Sequence, residues 1–331
     1  MRKIAIIGSG MAGLTLAHRL KQHAEVLVFD KASQAGGRMA SRSAGAFHFD
    51  HGAQFFTVKS QRFADFIQPL IEQGVIQRWD ARFVEFAGAE ILNRRQWNAD
   101  YPHYVGSPAM QSVGQSLAKP LTIRFDCHIT RLERQADKWR LLSSETCVAE
   151  HVDWVICCLP ARQAADLLPE NFPHVDVIRQ TTMLPCYALM LGFEQSPEID
   201  WQAALVSKSI ISWMSINSSK PCRPEAVSMV IQANNLWAEK NLHAPTENIT
   251  QHMLAEVRQI SGIDTTKASH VELKRWVYAN MSTQHTQSVY LDNHLQLAAC
   301  GDWCRQGRVE AAFLSADSLA QQLIPYLSPS R

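Results

Sequence analysis

The sequence has little of anything that would mark an extreme class. Its 331 residues carry a formal net charge of +1 with 19% charged residues, so no global field draws the chain to nucleic acid or to an anionic membrane surface. It has no run of Lys and Arg, no low-complexity tract and no repeat at solenoid periods. The longest uncharged apolar run, Met183 to Phe193, contains Pro185 and is too short to span a bilayer. Arg2 and Lys3 precede an apolar stretch, but that stretch holds Gly8, Gly10 and Gly13 and then His18 and Arg19, so a signal peptide is not expected. Eight cysteines are too sparse for a disulfide scaffold; reduced thiols in a cytoplasm are expected. A second G-x-G run and a Cys-x-x-Cys pair are also missing. Their lack argues against a separate NAD(P)H domain and against disulfide reductase chemistry. What is present is 46% hydrophobic residues, enough for a large core, and a length that predicts two domains.

Lys3 to Ile7 is a short apolar run that stops at a glycine cluster, as a buried parallel strand does. Met11 to Lys21 has helical spacing, and Glu25 to Phe29 reads as a second strand ending at Asp30. Together they predict a compact βαβ unit. Further on, the pattern predicts a helix over 61–72 and strand-like pieces rich in Trp and Arg up to 103. A helix follows with Ser107 as N-cap and Pro108 at its first position. A β-meander is expected over 121–157, then strands near 185–193, 210–216, 226–233 and 269–277 with helices near 235–240 and 246–261. A strand at 295–299 and a closing helix over 309–323 complete the chain. The expected fold is α/β. Residues 1–59, 104–160 and 292–331 would form a discontinuous Rossmann-type domain, and 60–103 and 161–291 an inserted domain on a mixed β-sheet.

Gly8-Ser9-Gly10-Met11-Ala12-Gly13 is a G-x-G-x-x-G run between a strand and a helix. Gly8 allows the tight turn, Gly10 lets backbone approach a pyrophosphate, and Gly13 lets helix and strand pack closely. The helix N-terminus then offers N–H groups and its positive dipole end to phosphates. Asp30, at the tip of the second strand, stands where ribose hydroxyls are expected. Two features favour FAD over NAD. Arg38 follows a double-glycine turn, Gly36-Gly37, and can hold phosphate by charge-assisted bonds. Near the other end Asp302 follows an apolar strand and can take a ribityl hydroxyl. The helix opening at Val309-Glu310 can face the flavin edge where negative charge develops.

Other residue groups admit a plain reading beside a chemical one. Cys300 and Cys304 lie four apart, but buried inert thiols are expected rather than a redox pair. His48, Asp50 and His51 invite a metal, yet no third ligand cluster accompanies them and no metal is expected. Trp276 and Tyr278 alternate on one strand face and either wall a substrate pocket or form a core pair. Trp213 has the same standing.

These motifs carry a resemblance. Gly8–Gly13, Asp30-Lys31-Ala32 with Gly36-Gly37-Arg38-Met39, Asp50-His51-Gly52-Ala53-Gln54-Phe55, Gly106-Ser107-Pro108-Ala109-Met110, Leu159-Pro160-Ala161, Arg275-Trp276 with Tyr278-Ala279, and Gly301-Asp302 through Ser315 are spread over nearly the whole chain. In them the chain resembles the renalase-like branch of the flavin-containing amine oxidase superfamily. The resemblance implies FAD contacts from the backbone at Ala12, from Arg38 and from Gln54-Phe55, with Gln54 also a candidate at the substrate. Met11, Lys31 and Gly37 belong to the same implied set. The superfamily's usual Glu is Asp30 here, and Ser315-Ala316 replaces its usual Ser-Gly, which bears on packing of the last helix. The family's cysteine attachment motif is lacking, so FAD is expected non-covalently. The implied activity is oxidation of 2- and 6-dihydro isomers of NAD(P)H, with O2 as acceptor and H2O2 as product. Such a donor already carries a transferable hydride and needs positioning rather than a strong base. An amine oxidase is the alternative, and a non-redox flavoprotein isomerase a third reading.

Overall fold

The computed structural model describes residues 1–282, 287–305 and 307–327. The chain divides into two compact units, one of residues 1–38, 114–183 and 281–331, the other of 39–113 and 184–280.

The first unit is built on a six-stranded sheet in the order Tyr290–Asp292, Leu297–Ala299, Trp154–Cys157, Lys3–Ile7, Glu25–Phe29, Ile123–Arg124. Strand β1 (Lys3–Ile7), helix α1 (Met11–Leu20) and strand β2 (Glu25–Phe29) form the expected βαβ unit. β1 pairs parallel with β2 and with Trp154–Cys157, putting Ile4 opposite both Val26 and Trp154. Apolar residues on both faces suit a central strand covered on each side. The closing helix, Val309–Leu327, runs four residues beyond its expected end and is tied to α1 by Arg19 Nε donating to Asp317 Oδ1 at 2.8 Å. Ala316 is fully buried, so the Ser-Ala pair is accommodated there. Of the expected meander, 131–152 forms a separate three-stranded sheet, while Ile123–Arg124 and Trp154–Cys157 join the parallel one.

The second unit carries a seven-stranded sheet in the order Ala268–Met281, Met183–Phe193, Val227–Ala233, Ile211–Ile216, Ala203–Ser207, Arg82–Ala87, Glu90–Gln96. It is mixed: Ala203–Ser207 runs parallel to Arg82–Ala87 and antiparallel to Ile211–Ile216. Helix Thr246–Ser261 lays Ile249, Met253, Val257 and Ile260 on one face into the core with Leu189, Leu191 and Ile231, the spacing of an amphipathic helix. Gly262, left-handed at φ 72°, ends it.

Two expectations are corrected. Residues 39–59 and 104–113 fall in the second unit, and 161–183 and 281–291 in the first. The hairpin Arg42–Ala44/Phe47–Phe49 sets Phe49 against Met190 and Val230. A Cβ on Gly192 would fall 2.6 Å from the Phe47 ring, so the glycine makes room for this docking. The helix expected at Pro108 begins at Gln111. Its start is held by remote side chains: Met110 N donates to Asp50 Oδ1 at 2.9 Å and Gln111 N to Ser41 Oγ at 3.2 Å.

Candidate functional site

In the first unit, β1 delivers the chain into a glycine turn whose geometry follows from absent side chains. Gly8 has φ +106°, and a Cβ at Gly13 would stand 1.8 Å from the Gly8 carbonyl oxygen, so only glycine lets α1 approach this closely. A Cβ at Gly10 would meet nothing within 4 Å. No side chain caps α1, and its first turn has no acidic residue. Its N-terminus is therefore open to an anion. Gly36 N donates to Ser9 O at 3.0 Å, and Gly37, at φ +55°, would bring a Cβ within 3.1 Å of Gly10 Cα. The double-glycine turn thus lies against the first loop. Open space at Gly10, an uncapped helix end and a nearby guanidinium fit a pyrophosphate.

Asp30 and Arg38 are not simply poised for ligand. Asp30 Oδ2 accepts from both Ser9 N and Ser9 Oγ at 2.6 Å, and Oδ1 accepts from Ala32 N at 2.9 Å. The carboxylate expected at a ribose therefore also braces the glycine loop. Arg38 Nη1 donates to Asp302 Oδ2 at 2.8 Å, and its other terminal nitrogen pairs with Oδ1. Two residues 264 apart, read separately as phosphate and ribityl ligands, form one bidentate pair. Lys31 is exposed, Met11 and Ala12 are buried, Val309 is half-buried and Glu310 is buried in the closing helix's first turn.

Arg38→Ala is accordingly expected to act twice, loosening the bound nucleotide and stranding Asp302, whose side chain is 7% exposed. With Arg38 about a third exposed, a loss of about 1.5–3 kcal/mol is expected. Thermal melts of the flavin-free protein check this: Arg38→Ala should melt lower than Arg38→Ala/Asp302→Ala, because the double variant leaves no unpaired buried carboxylate. Equal melts would mean that the pair does not matter to the fold.

The cysteine expectation gains a partner. Cys300 lies beside Cys158, with the sulfurs 3.6 Å apart. The Cys300 thiol is pushed well above its ordinary range by that neighbour and by burial, and the Cys304 thiol by burial.

In the second unit Asp50 is the hub of a buried charge knot that sequence reading missed. Its Oδ1 accepts from Ser41 Oγ at 2.7 Å and Met110 N at 2.9 Å; Oδ2 accepts from Arg223 at 2.6 Å and Lys220 Nζ at 3.2 Å. All three charged side chains have zero exposure. Burial alone would raise the Asp50 pKa, but the two cations hold it well below the usual carboxylate range. Burial pushes the Lys220 ammonium down to about 8 against the attraction of Asp50. With its acceptor positions filled, Asp50 has no room for a metal. Among the described residues no group of three or more His, Cys, Asp or Glu is placed to hold one.

Gln54 is corrected in role. Its Oε1 accepts from Ser215 Oγ at 2.9 Å and Lys220 Nζ at 3.3 Å, and its amide donates to the carbonyls of Asp50 and Gly52. All four positions of the carboxamide are used internally. Trp276 stacks on His51 at 5.3 Å and donates to the His51 carbonyl at 2.9 Å; Tyr278 is half-buried on the same strand face. Trp213 belongs to a different group, a layer of rings with Phe55, Phe83 and Trp97. His103 lies flat on Trp97, ring centroids 3.5 Å apart, and Trp79 meets Trp97 edge-on. Of this layer only Phe55 and Trp213 were singled out from sequence. The Trp-rich composition of 60–103 was the one available signal for the rest.

His51 and His103 are neutral, their pKa values lowered to about 4 chiefly by burial. Between pH 6.5 and 4 the unfolded chain binds protons that the folded chain refuses. Their contribution is therefore complete above 6.5 and is lost as pH falls towards 4. Melting temperatures of wild type and His51→Phe/His103→Phe are expected to diverge less at pH 7 than at pH 4.5, with the wild type losing more. Parallel profiles would contradict buried neutral imidazoles.

A glycine-loop βαβ unit with a discontinuous chain path and a mixed-sheet partner unit defines a Rossmann-like nucleotide-dependent oxidoreductase fold. The model of flavin-containing amine oxidoreductases matches residues 84–324, and that of NAD(P)-binding Rossmann-like domains residues 6–70. The chain belongs to the flavin-containing amine oxidoreductase family, and the family implies a flavin cofactor. It is 46% identical over 59 residues to a 1-hydroxycarotenoid 3,4-desaturase of a Flavobacterium species, covering 18% of this chain and 12% of that protein. It is 33% identical over 102 residues to prenylcysteine oxidase 1-like of Mus musculus, covering 29% and 20%. The matched stretch thus spans a fifth or less of either relative. Among solved structures, reduced UDP-galactopyranose mutase superposes with TM-score 0.78 at 11% identity, covering 98% of this chain and 94% of that one. Cyclohexylamine oxidase of Brevibacterium oxydans superposes with TM-score 0.71 at 11% identity, covering 97% and 99%. These likenesses concern the fold alone. Among the described residues no helix is long and apolar enough to cross a membrane.

Proposed function

We propose that this protein is a renalase-like oxidase that binds FAD non-covalently and takes hydride from 2- or 6-dihydro isomers of NAD(P)H. The observation that carries this reading is the character of the second unit's ring layer. It is aromatic, its imidazole is neutral, and the ionised groups nearest to it in contact, Lys220 over Trp79 at 5.4 Å and Arg95 over Phe83 at 4.6 Å, are cations. Cations beside the rings disfavour an ammonium form of an amine, whereas a neutral dihydronicotinamide ring has no charge to repel.

In this reading Gly8, Gly10, Ala12, Gly13 and Gly37 cradle the FAD pyrophosphate by backbone approach at the α1 N-terminus. Arg38 would supply a cation to the phosphates while Asp302 keeps its guanidinium oriented. Asp30 serves the ribose with the oxygen not fully taken by Ser9. The helix beginning at Val309-Glu310 faces the flavin end. Gln54 acts as a positioning residue, its carboxamide fixing the Asp50–Phe55 loop. Bound FAD would supply the two-electron acceptor for the hydride, with O2 and one solvent proton accounting for the H2O2 expected as product. The dihydronicotinamide loses that hydride from C2 or C6 and becomes NAD(P)+. The protein's part is to orient the donor ring and exclude water.

Anaerobic stopped-flow mixing tests it. Flavin absorbance is expected to bleach rapidly with the 2- or 6-dihydro isomers and slowly with benzylamine, putrescine or ordinary 4-dihydro NADH. Admission of air should then yield H2O2. Fast bleaching by an amine without response to the isomers would establish the amine oxidase reading instead.

A further inference from the structure

In the first unit the parallel sheet brings two cysteines together that lie far apart in the chain. Strands Trp154–Cys157 and Leu297–Ala299 pair with Cys157 opposite Ala299, and Cys300 N donates to the Cys157 carbonyl at 3.1 Å. The ladder therefore runs one step further and sets Cys158 opposite Cys300. Side chains alternate along a strand, so Cys157 turns to one face while Cys158 and Cys300 share the other. Their sulfurs stand 3.6 Å apart across 142 positions of sequence. Neighbouring strands lie about 4.7–4.9 Å apart, inside the roughly 4.4–6.8 Å over which two Cα atoms accept a disulfide. Rotation of the side chains alone can thus bring the sulfurs to bonding distance. Backbone on both sides is held meanwhile: Cys158 N donates to the Ile7 carbonyl at 2.8 Å, and Gly301 N to Ser315 Oγ at 3.2 Å. The two thiols differ in access, Cys158 being half-buried and Cys300 fully buried.

We infer that Cys158 and Cys300 form a dithiol site that takes a hydroperoxide as oxidant and closes reversibly to a disulfide. The chemistry has two steps. The Cys158 sulfur attacks one peroxide oxygen, the O–O bond breaks and water leaves, giving a sulfenic acid at Cys158. Cys300 then attacks that sulfur: the S–S bond forms, the S–O bond breaks, and the departing hydroxide leaves as water with the Cys300 proton. Two thiols and one H2O2 become one disulfide and two waters, the peroxide being reduced and the sulfurs oxidised. The order of events follows from burial. Cys300 does not meet solvent, and its contact with Cys158, together with burial, holds its thiol well above the ordinary range. Cys158 is therefore oxidised first and Cys300 resolves it. A sulfenic acid with a thiol already in contact condenses with it rather than climbing to the irreversible sulfinic acid. Cys304, the neighbour that sequence spacing offered, is buried and takes no part. Only the source of the peroxide rests on the oxidase reading, in which H2O2 is the product; the dithiol chemistry stands on the sulfur geometry.

The test begins with H2O2 added to the flavin-loaded protein, in a Cys222→Ser background that removes the exposed thiol. Thiols titrated after denaturation should fall by two, and dithiothreitol should restore them. Peptide mapping without reductant should find Cys158 joined to Cys300. The oxidised protein should melt above the reduced one, because a cross-link spanning 142 positions constrains the unfolded chain. Cys300→Ala removes the resolving thiol, so dimedone, which traps sulfenic acids, should label Cys158 in that variant and not in its parent. The parent's peptide map decides the matter even should Cys300→Ala fail to fold. The site is refuted if Cys158 is oxidised no faster than the buried Cys186, or if the bond joins another pair. It is refuted too if Cys158 passes to sulfinic acid with Cys300 present, or if oxidation lowers the melting temperature. Turnover in air then separates the two readings. With a 2- or 6-dihydro isomer as donor the same bond should build, and catalase should prevent it. A bond formed by added peroxide but with no donor would sink the oxidase reading and leave the dithiol. Release of H2O2 during turnover, with both thiols surviving turnover and added peroxide alike, would do the reverse.

Discussion

Asp50→Asn is expected to destabilise the protein by about 3–5 kcal/mol, the cost of stranding buried charge. The carboxylate answers two cations of zero exposure and two further donors, Ser41 Oγ and Met110 N. The amide cannot balance Lys220 and Arg223, and one of its two polar ends presents N–H groups to donors. Lys220→Met should behave differently. It leaves Asp50 paired with Arg223 and removes the excess charge but takes a donor from Gln54 Oε1 and Asn217 Oδ1, so a loss of about 1–3 kcal/mol, smaller than that of Asp50→Asn, is expected. Urea denaturation reads both, and equal losses in the two variants would contradict this account of the knot. The pH dependence gives a second check. Because the folded Lys220 pKa lies near 8, below its ordinary value of 10.5, the unfolded chain binds the extra proton between those limits. Wild-type stability should therefore rise relative to Lys220→Met from pH 8 to 10.5.

Gly13→Ala is expected to abolish flavin retention together with the fold of the first unit. The new methyl would lie 1.8 Å from the Gly8 carbonyl oxygen, a backbone atom that cannot swing aside. α1 would have to lift from a loop that also holds Gly8 N on the Phe29 carbonyl at 2.8 Å. Gly10→Ala separates folding from binding. Its φ of −73° suits alanine, and its Cβ meets nothing within 4 Å. The flavin-free protein should melt within a degree or two of wild type, since an N-cap Gly→Ala change costs only tenths of a kcal/mol to about 1. Flavin binding should still fall steeply, because the methyl occupies the space proposed for the pyrophosphate. Flavin titration alongside thermal melts checks both, and a Gly10→Ala protein with unchanged affinity would remove the pyrophosphate from that place.

Legibility in the sequence follows the range of the forces involved. The βαβ unit was readable to the residue at both strands, because apolar β-branched runs and a glycine-punctuated helix are local signals. The same holds for helices Gln61–Glu72 and Thr246–Ser261, whose periodicity survives any context. The helix after Gly106 was placed three residues early because Ser107-Pro108 is a sound local start, yet Ser41 and Asp50 hold the start elsewhere. Strand Ala203–Ser207 was not foreseen: four successive apolar residues with Leu205 exposed and a serine at the end show no alternation without the sheet around them.

The sequence by itself determined the glycine turn, since Gly13 and Gly37 act sterically on Gly8 and Gly10, neighbours within thirty positions. It also determined the α/β class, through the alternation of strand and helix patterns. Only the tertiary structure decided what the charged and polar residues do. Arg38 and Asp302 are 264 positions apart and became one ion pair, while Asp50 is 170 and 173 positions from the cations that bury it. A lysine and an arginine in a Ser-Ser-Lys-Pro-Cys-Arg-Pro stretch look like a solvated loop until a carboxylate arrives from elsewhere. The same is true of the indoles: a tryptophan's side chain is visible in sequence, but whether its N–H finds a partner is settled by which strands are brought beside it.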